Sequence, residues 1–414
     1  MNITELKKHI VPKGFLVSGI SAGLKKSGRK DLGLIVSEVP ALCAGVFTRN
    51  AMRAAPVVLN QQRIGKGPVR ALVINSGNAN CATGASGLKD ARTVTMRLAR
   101  ALRIPEQSVL MGSTGKIGVR LPVSTITAAL GTLIEGLSRE ELYACADAIL
   151  TTDTVRKVVT LRCTIDGAVY TITAFAKGAG MIQPDMATML CFILTDAPLA
   201  RRDAQKLLKE VVETSFNRIT IDGQMSTNDM VLLLANGKAA RNSEMLKGSQ
   251  LGPVREALGY LTRKMAALIV EDGEGASRFI EVTVTGAGTT GQADKTAREL
   301  ANSPLIKTAC GAGNPNWGRI AQAIGAINRT VDPRCVSIGF YTPASVSLRT
   351  QQPRPVPLIV FDKGRPGWIS GEKLERIMKG YRIGIMADLG KGRYTRTIWT
   401  CDLSEGYIAI NKKY

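Results

Sequence analysis

Hydrophobic and polar positions in the first half of the chain follow two different periods. Short apolar runs at 33–39 (GLIVSEV) and 70–75 (RALVIN) predict buried strands. Residues 89–103 instead repeat apolar side chains at helical spacing, which predicts a helix that ends before Pro105. Strands and helices therefore alternate, and a mixed α/β (α+β) fold is expected.

Turn and cap residues add detail to this region. Residues 157–176 predict a hairpin, because two strand-like runs flank Asp166-Gly167, a pair that suits a tight two-residue turn. Ser138 and Glu141 have the spacing of a capping box, so a helix is expected to begin there.

The second half continues the alternation and then becomes richer in strands. A Gly-rich turn at 271–277 is expected to separate a main domain, residues 1–276, from a C-terminal α+β domain, residues 277–414. In the main domain the pattern predicts strands at 189–195, 218–222 and 230–237 and helices at 201–216 and 253–270. In the C-terminal domain it predicts strands near 280–288, 357–361, 381–387 and 396–401 and one short helix at 372–380.

The composition is ordinary for a globular protein, but the charge is not. The chain has 414 residues, 45% of them hydrophobic, and a formal net charge of +22. Lys and Arg occur in short clusters without the interleaved aromatic residues of a nucleic-acid stacking surface. A solvated basic face is therefore the simpler interpretation, and no nucleic-acid partner is expected. Such a face would raise the local concentration of small anions.

Two further classes of protein are disfavoured by what the sequence lacks. The eight cysteines are scattered without a C-x-x-C pair, which argues against a zinc site, a redox motif or a secreted disulfide framework, so no metal is expected. There is no apolar run of about 18 residues, and the first residues lack the apolar core of a signal peptide. A cytoplasmic protein without a membrane segment is expected.

Residues 177–191 (KGAGMIQPDMATMLC) are the strongest candidate for chemistry. The chain contains one histidine, His9, so the histidine proton shuttle of serine and cysteine hydrolases is not expected. If the chain is cut between Ala187 and Thr188, the new α-amine has an ordinary pKa of about 7.7–8.0 and can take the proton of the Thr188 hydroxyl. On this segment alone, the alternative is that Ala187-Thr188 simply begins a buried strand, because Thr is common in strands.

Other loops of small residues are candidates for binding groups. In MGSTGKIG, Gly115 permits backbone N–H groups to converge on one oxygen, and together with the Thr114 hydroxyl they would form an oxyanion hole. A tight turn is the simpler alternative.

Lys177 could pair with a substrate carboxylate, although a solvent-facing lysine is the better interpretation from the residues alone. The polar loops at 75–84 and 222–230 are expected to be scaffold first and ligand contacts second.

Several motifs occur together in the order and spacing of one known family. They cover nearly the whole chain and include INSGNAN, GSTGKIG, TTDT, KGAGMIQPDMATML, STNDMVLLLANG, NPNWGR and WTCDLSEGYIAIN. On these motifs the chain resembles the ornithine acetyltransferases, also called bifunctional glutamate N-acetyltransferases, of arginine biosynthesis.

The resemblance implies an architecture and an assembly. The fold would be a layered sandwich of the N-terminal-nucleophile type, as in related aminopeptidases, and the last residues of the C-terminal domain would return to the active site. The chain would cleave itself between Ala187 and Thr188 into an α chain, 1–187, and a β chain, 188–414. Two of each would form an α2β2 heterotetramer.

The resemblance also implies residue roles and a reaction. Thr188 would be the nucleophile, Thr114 and Gly115 would form the oxyanion hole, and substrate would be bound by Thr151, Lys177, Thr188, Glu274 and Asn411. The acetyl group would pass from N2-acetylornithine to glutamate through an acetyl-Thr188 intermediate, in ping-pong order. No cofactor is implied, and some members of the family also use acetyl-CoA as the acetyl donor.

A few positions depart from the family pattern. Gln224 and Met225 stand where the family has Asp-Thr, Lys116 replaces an apolar residue, and the chain stops at Tyr414, before the family's terminal Ser or Thr. These changes bear on which amine accepts the acetyl group. Two other classes stay open: an amidase or aminopeptidase-type hydrolase in which water takes the acyl group, and a non-catalytic basic binding protein.

Overall fold

The computed structural model of the chain describes residues 3–183, 189–240, 244–328, 330–348, 355–367 and 371–412. These residues fall into two compact units, each with its own core. The first unit is Met1–Gly178, Pro184–Asn217 and Met225–Met265, and the second is Ala179–Gln183, Arg218–Gln224 and Ala266–Tyr414. These units are not the same as the two domains predicted from the sequence, 1–276 and 277–414, and that domain boundary stays a prediction.

The first unit consists of a strand-rich centre with helices around it. Its strands are β1 (Ile3–Glu5), β2 (Phe15–Ile20), β3 (Leu32–Phe47), β4 (Val69–Asn78), β5 (Val109–Lys116), β6 (Lys157–Ile165), β7 (Ala168–Lys177), β8 (Leu190–Thr195) and β9 (Met230–Ala235). Its helices are α1 (Ala55–Arg63), α2 (Gly84–Leu102), α3 (Val123–Ala128), α4 (Leu130–Glu135), α5 (Leu142–Ala148) and α6 (Arg201–Glu213), while α7 (Leu251–Glu271) spans the boundary between the units.

The long strand β3 belongs to two sheets. Among the described residues, eight strands follow the order β1-β6-β7-β8-β9-β3-β4-β5, and a ninth, β2, also pairs with β3. Residues Leu32 to Val36 of β3 pair with β4, whereas Leu42 to Phe47 pair with β9. A change of register after Val36 separates the two halves, so one strand can serve both sheets.

The main core of this unit is built by side chains from both sheets. It includes Ile74 and Leu110 from one sheet and Phe175, Phe192 and Leu232 from the other. The rings of Phe175 and Phe192 lie 5.6 Å apart between centroids in a tilted arrangement. All residues of the parallel neighbours β8 and β9 are buried, which explains why both read as continuous apolar runs rather than alternating ones.

Helix α2 covers the outer face of one sheet. Its buried residues Ala91, Val94 and Leu98 recur at helical spacing and pack with Leu34 and Val73 of the strands. The helix at 89–103 was predicted from Val94, Leu98, Ala101 and Leu102, of which Val94 and Leu98 belong to this buried stripe, whereas Ala101 is exposed. The helix ends at Arg103, which adopts a left-handed conformation with φ 54°.

The second unit is a sheet with helices packed on it. Its strands are β10 (Phe279–Ala287), β11 (Ser337–Tyr341), β12 (Leu358–Asp362), β13 (Arg365–Pro366), β14 (Arg382–Asp388) and β15 (Tyr394–Cys401). Its helices are α8 (Thr290–Asn302), α9 (Pro304–Gly311), α10 (Trp317–Ile327), α11 (Gly371–Lys379) and α12 (Glu405–Asn411). The described strands run in the order β13-β12-β11-β14-β10-β15, and α8 packs against β10 and β15. Their core includes Ile280, Ala297, Phe340, Ile385 and Ile398.

The mixed α/β fold predicted from the sequence is confirmed, with two sheet systems. The predicted hairpin is also confirmed: β6 and β7 pair from Ile165 and Ala168 outward, and Asp166 and Gly167 take φ values of 48° and 74°. Both turn residues are left-handed, as a type I′ turn requires. No helix in the described part of the chain is long and apolar enough to span a membrane.

Three element predictions are wrong. The region after β10 was expected to hold one short helix, but α8, α9, α10 and α12 form as well. Residues 218–222 do not form a strand; their only pairing among the described residues is a single bridge from Ile219 to Trp399. The capping box is absent, because α5 begins at Leu142 with Glu141 as its N-cap, and the Ser138 hydroxyl accepts a hydrogen bond from the Glu140 N–H instead.

Candidate functional site

The end of β5 brings Thr114 and Gly115 against the neighbouring strand. Gly115 pairs with Gly77 of β4, and Thr114 with Ser76. Gly115 has a φ of 133°, and a Cβ placed on it would lie 2.3 Å from the carbonyl carbon of Gly77. No side chain fits at this position, so the strand can end here in this conformation only with glycine.

A network of buried asparagine side chains holds this strand end. The Asn228 amide donates to the carbonyl oxygens of Ser113, at 2.8 Å, and Ala79, at 2.6 Å. The Ser113 hydroxyl donates to Asn75 Oδ1 at 2.6 Å, and the Asn75 amide donates to the Asn78 carbonyl. These bonds connect the start of β9 to the end of β5. The loops at 75–84 and 222–230 thus act as scaffold, as expected.

Asp153 ties together the segments that carry Thr151 and Lys177. Its carboxylate accepts hydrogen bonds from the Thr151 N–H at 2.9 Å, the Gly178 N–H at 2.6 Å and Lys157 Nζ at 2.8 Å. The side chains of Asp153 and Lys157 are both fully buried. Burial alone would raise the pKa of the Asp153 carboxyl, but the positive charges of Lys157 and Lys177 and these hydrogen bonds outweigh it and hold the pKa well below its usual range.

Lys177, the last residue of β7, is not a solvent-facing lysine. It is 9% exposed and is paired with Leu190, the first residue of β8. Its charge acts on both Asp153 and Asp229. The simpler interpretation from the sequence was therefore wrong, because the strand pairing that buries this residue is not visible in the local pattern.

Lys25 is a half-buried amine whose field reaches the same region. Its Nζ donates to the carbonyl oxygens of Lys30, at 2.8 Å, and Leu150, at 2.6 Å. Burial lowers the pKa of the Lys25 amine to about 8, with Asp31 acting in the opposite direction and Lys177 adding to the lowering.

Glu274 and Asn411 meet within the second unit. The Asn411 amide donates to Glu274 Oε2 at 2.8 Å and to the Tyr407 carbonyl at 3.0 Å. The Glu274 N–H donates to the Ala179 carbonyl at 2.8 Å, and a Cβ on Gly180 would lie 2.4 Å from the Glu274 carboxyl carbon. Gly180 therefore makes room for this carboxylate.

Asp222 organises the backbone of the segment that follows Gly180. Its carboxylate accepts from the N–H groups of Met181, at 2.6 Å, and Ile182, at 2.9 Å. Gln224 is exposed; its N–H donates to Asp222 Oδ1 at 3.1 Å, and its Nε2 lies 3.4 Å from the Asp222 carbonyl oxygen. Lys116 is exposed as well.

The structure brings predicted site residues together in three separate pairs. Thr114 and Gly115 stand together at the end of β5, Asp153 links the segments of Thr151 and Lys177, and Glu274 contacts Asn411. Ala187 and Thr188 lie outside the described residues. Within those residues, no group of three or more His, Cys, Asp or Glu side chains is placed to hold a metal ion.

Three residues were not recognised from the sequence. Asp153 stands in TTDT, and Asn228 and Asp229 stand in STND, so each lay inside a quoted motif. A carboxylate or amide just before an apolar strand could have marked Asn228 and Asp229, which lie at the start of β9. Asp153 lies four residues before β6 and has no such signal.

The mixed α/β fold has a buried lysine–carboxylate pair, a further buried lysine and a strand end that only glycine fits, and buried charges with perturbed pKa values are typical of enzyme sites. The chain belongs to the ArgJ family, whose model matches residues 16–414.

Relatives are similar over nearly their full length. The "Arginine biosynthesis bifunctional protein ArgJ" of Caldanaerobacter subterraneus is 40% identical over 405 residues, which is 98% of this chain and 97% of the relative. The protein of the same description from Geobacter sulfurreducens is 42% identical over 404 residues, 97% of this chain and 99% of the relative. Among solved structures, ornithine acetyltransferase from Mycobacterium tuberculosis, complexed with ornithine, is 37% identical, covers 45% of this chain and 100% of that chain, and superposes with a TM-score of 0.42.

Proposed function

We propose that this chain is an acetyltransferase of arginine biosynthesis that moves the acetyl group of N2-acetylornithine to glutamate. The observation that carries the proposal is the family match over residues 16–414, together with relatives near 40% identity that align almost end to end and bear the description "Arginine biosynthesis bifunctional protein". Under this proposal acetyl-CoA is a second acetyl donor, the cleaved chains assemble as α2β2, and the protein works in the cytoplasm.

The proposed nucleophile is Thr188, set free by cleavage after Ala187. A free α-amine has an ordinary pKa of about 7.7–8.0, so the amine can take the hydroxyl proton while Oγ attacks the acetyl carbonyl. The amide nitrogen of ornithine then takes that proton and leaves, and the acetyl group stays on Oγ as an ester. The amine of glutamate attacks the ester, N-acetylglutamate leaves, and the Thr188 hydroxyl is restored.

Thr114 and Gly115 are proposed to stabilise the oxygen that becomes negative in each step. Donors that are fixed before the reaction lower the barrier, because nothing must reorganise when the charge develops. The glycine-limited end of β5 and the asparagine network behind it support this role, since both fix the strand end in place.

Lys177 is proposed to hold the α-carboxylate shared by both amino-acid substrates, with Thr151 beside it. The buried position of Lys177 supports this role, because a charge-assisted hydrogen bond is stronger away from water. The hydrogen bonds that the Thr151 and Gly178 N–H groups donate to Asp153 support a fixed spacing between the two segments. In the second unit, Glu274 and Asn411 stay predicted substrate contacts.

The decisive variant is Thr188→Ala. Wild-type protein is expected to run as two bands on a denaturing gel, with a new N-terminus at Thr188, whereas the variant should give one band of 44.2 kDa and no acetyl transfer. Thr195→Ala, at the other end of β8, is the matched control and should be cut normally. Acetate release from N2-acetylornithine, measured beside acetylglutamate formation, separates transfer from hydrolysis. An uncut but active Thr188→Ala protein would end the proposal.

A further inference from the structure

Lys25 is a lysine to which the proposed reaction assigns no role. It lies in the loop between β2 and β3, and its Nζ donates to the carbonyl oxygens of Lys30 and Leu150. An ammonium group has three N–H donors, and the described residues accept two of them here. The side chain is half-buried rather than enclosed, so the third donor is open to water or to a ligand.

One buried carboxylate holds the loop that carries Lys25. Asp31 is fully buried, and it accepts hydrogen bonds from the N–H groups of Ala22, at 2.6 Å, Leu24, at 2.6 Å, and Lys25 itself, at 3.0 Å. The backbone and the amine of Lys25 are thus both held by hydrogen bonds. A side chain that is fixed in advance loses little freedom when it binds a ligand.

The carbonyl of Leu150 connects Lys25 to a predicted substrate contact. It belongs to the peptide group that precedes Thr151: the oxygen accepts from Lys25 Nζ at 2.6 Å, and the N–H donates to Asp153 at 2.9 Å. This one peptide group therefore joins Lys25 to Asp153. The same carboxylate accepts the N–H of Gly178, the residue after the lysine that is proposed to hold the substrate carboxylate.

The charges around Lys25 favour an anion. Four charged groups act on its amine: Asp31 and Asp153 favour the ammonium form, whereas Arg29 and Lys177 oppose it. Asp153 is already paired with a buried ammonium group, and Asp31 is occupied by three backbone N–H groups. Keeping Lys25 and Lys177 within reach of each other's charge is unfavourable, and an anion bound beside them offsets that repulsion.

The stem of Lys25 lies next to the candidate oxyanion hole. A Cβ on Gly77 would lie 3.3 Å from Cγ of Lys25, and a Cβ on Gly115 would lie 2.3 Å from the carbonyl carbon of Gly77. Lys25 and Gly115 therefore both pack against Gly77. Under the proposed function the acetyl carbonyl of the substrate binds at Gly115, and the α-carboxylate of N2-acetylornithine is only a few bonds from that carbonyl.

We propose that Lys25 is a further substrate-binding residue, whose ammonium group donates to the same α-carboxylate as Lys177. This inference rests on the proposed function and adds a residue to the same site. A carboxylate has two oxygens with several lone pairs, so two ammonium groups can bind it together. The ligand class is an amino acid with a free α-carboxylate, and a substrate that lacks this group would not gain from Lys25.

The test compares two acetyl donors that differ only in the α-carboxylate. N2-acetylornithine has this group, whereas N-acetylputrescine, its decarboxylated counterpart, does not. Lys25→Gln is expected to lower kcat/KM for N2-acetylornithine about 10- to 100-fold, the effect of losing a hydrogen bond to a charged group, and to change kcat/KM for N-acetylputrescine much less. The ratio of the two constants does not depend on how much of the variant is folded.

Binding of ornithine, measured by calorimetry, gives a readout that needs no turnover. Lys25→Gln should raise the Kd about 10-fold or more. Lys30→Gln is the matched control, because Lys30 lies in the same loop and its Nζ also donates to a backbone carbonyl, that of Gly19, at 2.7 Å. This variant keeps the Lys30 carbonyl that accepts from Lys25, and it should leave both the Kd and the ratio unchanged.

The outcomes separate this inference from the proposed function. A wild-type protein that does not transfer acetyl from N2-acetylornithine contradicts the proposed function itself. With an active wild type, an equal loss for both acetyl donors overturns only the inference, because Lys25 would then act on the local fold and not on the carboxylate. An ornithine Kd that Lys25→Gln leaves unchanged overturns it as well.

Discussion

At the scale of single residues, burial decides what Asp153 contributes. Its carboxylate compensates the buried ammonium of Lys157 and caps two backbone N–H groups. Replacing Asp153 by Asn leaves that ammonium without its carboxylate, and removing one partner of a buried pair typically costs about 3–5 kcal/mol. We expect a loss of this size in the free energy of unfolding at pH 7, measured by denaturant titration.

The pH dependence of that loss has a definite sign. The pKa of Asp153 is lowered in the folded state, so its stabilisation is fully present above the unfolded value of about 3.9 and is lost as the pH falls toward the folded value. The difference between wild type and Asp153→Asn should be constant from about pH 7 to 5 and shrink below about pH 4. Asp147→Asn is the control. The side chains of Asp147 and Arg156 are 31% and 39% exposed, so their ion pair should contribute less than about 1 kcal/mol to the free energy of unfolding.

At the scale of elements, the end of β5 depends on contact between two backbones. A methyl group at Gly115 would overlap the Gly77 carbonyl and force β5 away from β4. We expect Gly115→Ala to lower kcat by about 100-fold or more, the effect of losing one oxyanion donor. Gly118→Ala is the control, because Gly118 also has a positive φ, 79°, but faces open space. Equal activity of the two variants would contradict a strand end limited by Gly115.

The sequence predicted an element correctly where the residues that determine it are close together along the chain. The turn at Asp166-Gly167 is fixed by two adjacent residues, and it was predicted correctly. Helix α8 was missed because four of the five residues on its buried face are Ala or Thr, which give little contrast in hydrophobicity: Ala293, Thr296, Ala297, Leu300 and Ala301. Residues 218–222 look like a strand, but no neighbouring strand in the described structure pairs with them beyond one bridge.

The candidate site follows the same rule. Thr114, Gly115 and the Thr188 junction were found because their residue types carry the chemistry in a short motif. Asp153 and Asp229 were not, since the importance of a carboxylate lies in its burial and in partners that are distant in sequence, such as Lys177 and Gly178 around Asp153. Burial of that kind is set by tertiary packing, which a single sequence does not display.

At the scale of the whole molecule, the net charge of +22 affects how strongly the protein attracts each substrate. A strongly positive protein attracts anionic substrates over distances comparable to the Debye length, about 8 Å at physiological salt and about 3 Å at 1 M. Under the proposed function, the two substrates differ in charge: glutamate carries a net negative charge at neutral pH, whereas N2-acetylornithine carries one carboxylate and one ammonium and is neutral overall.

This difference gives a prediction with an internal control. We expect kcat/KM for glutamate to fall several-fold as the ionic strength rises from about 0.01 M to about 1 M, because screening removes the long-range attraction. Over the same range kcat/KM for N2-acetylornithine should change little, since a neutral molecule gains nothing from that field. Steady-state rates with each substrate varied in turn measure both constants, because a ping-pong enzyme binds the two separately. A parallel fall for both substrates would instead indicate a general effect of salt on the fold, and the basic surface would then have no part in selecting the acceptor.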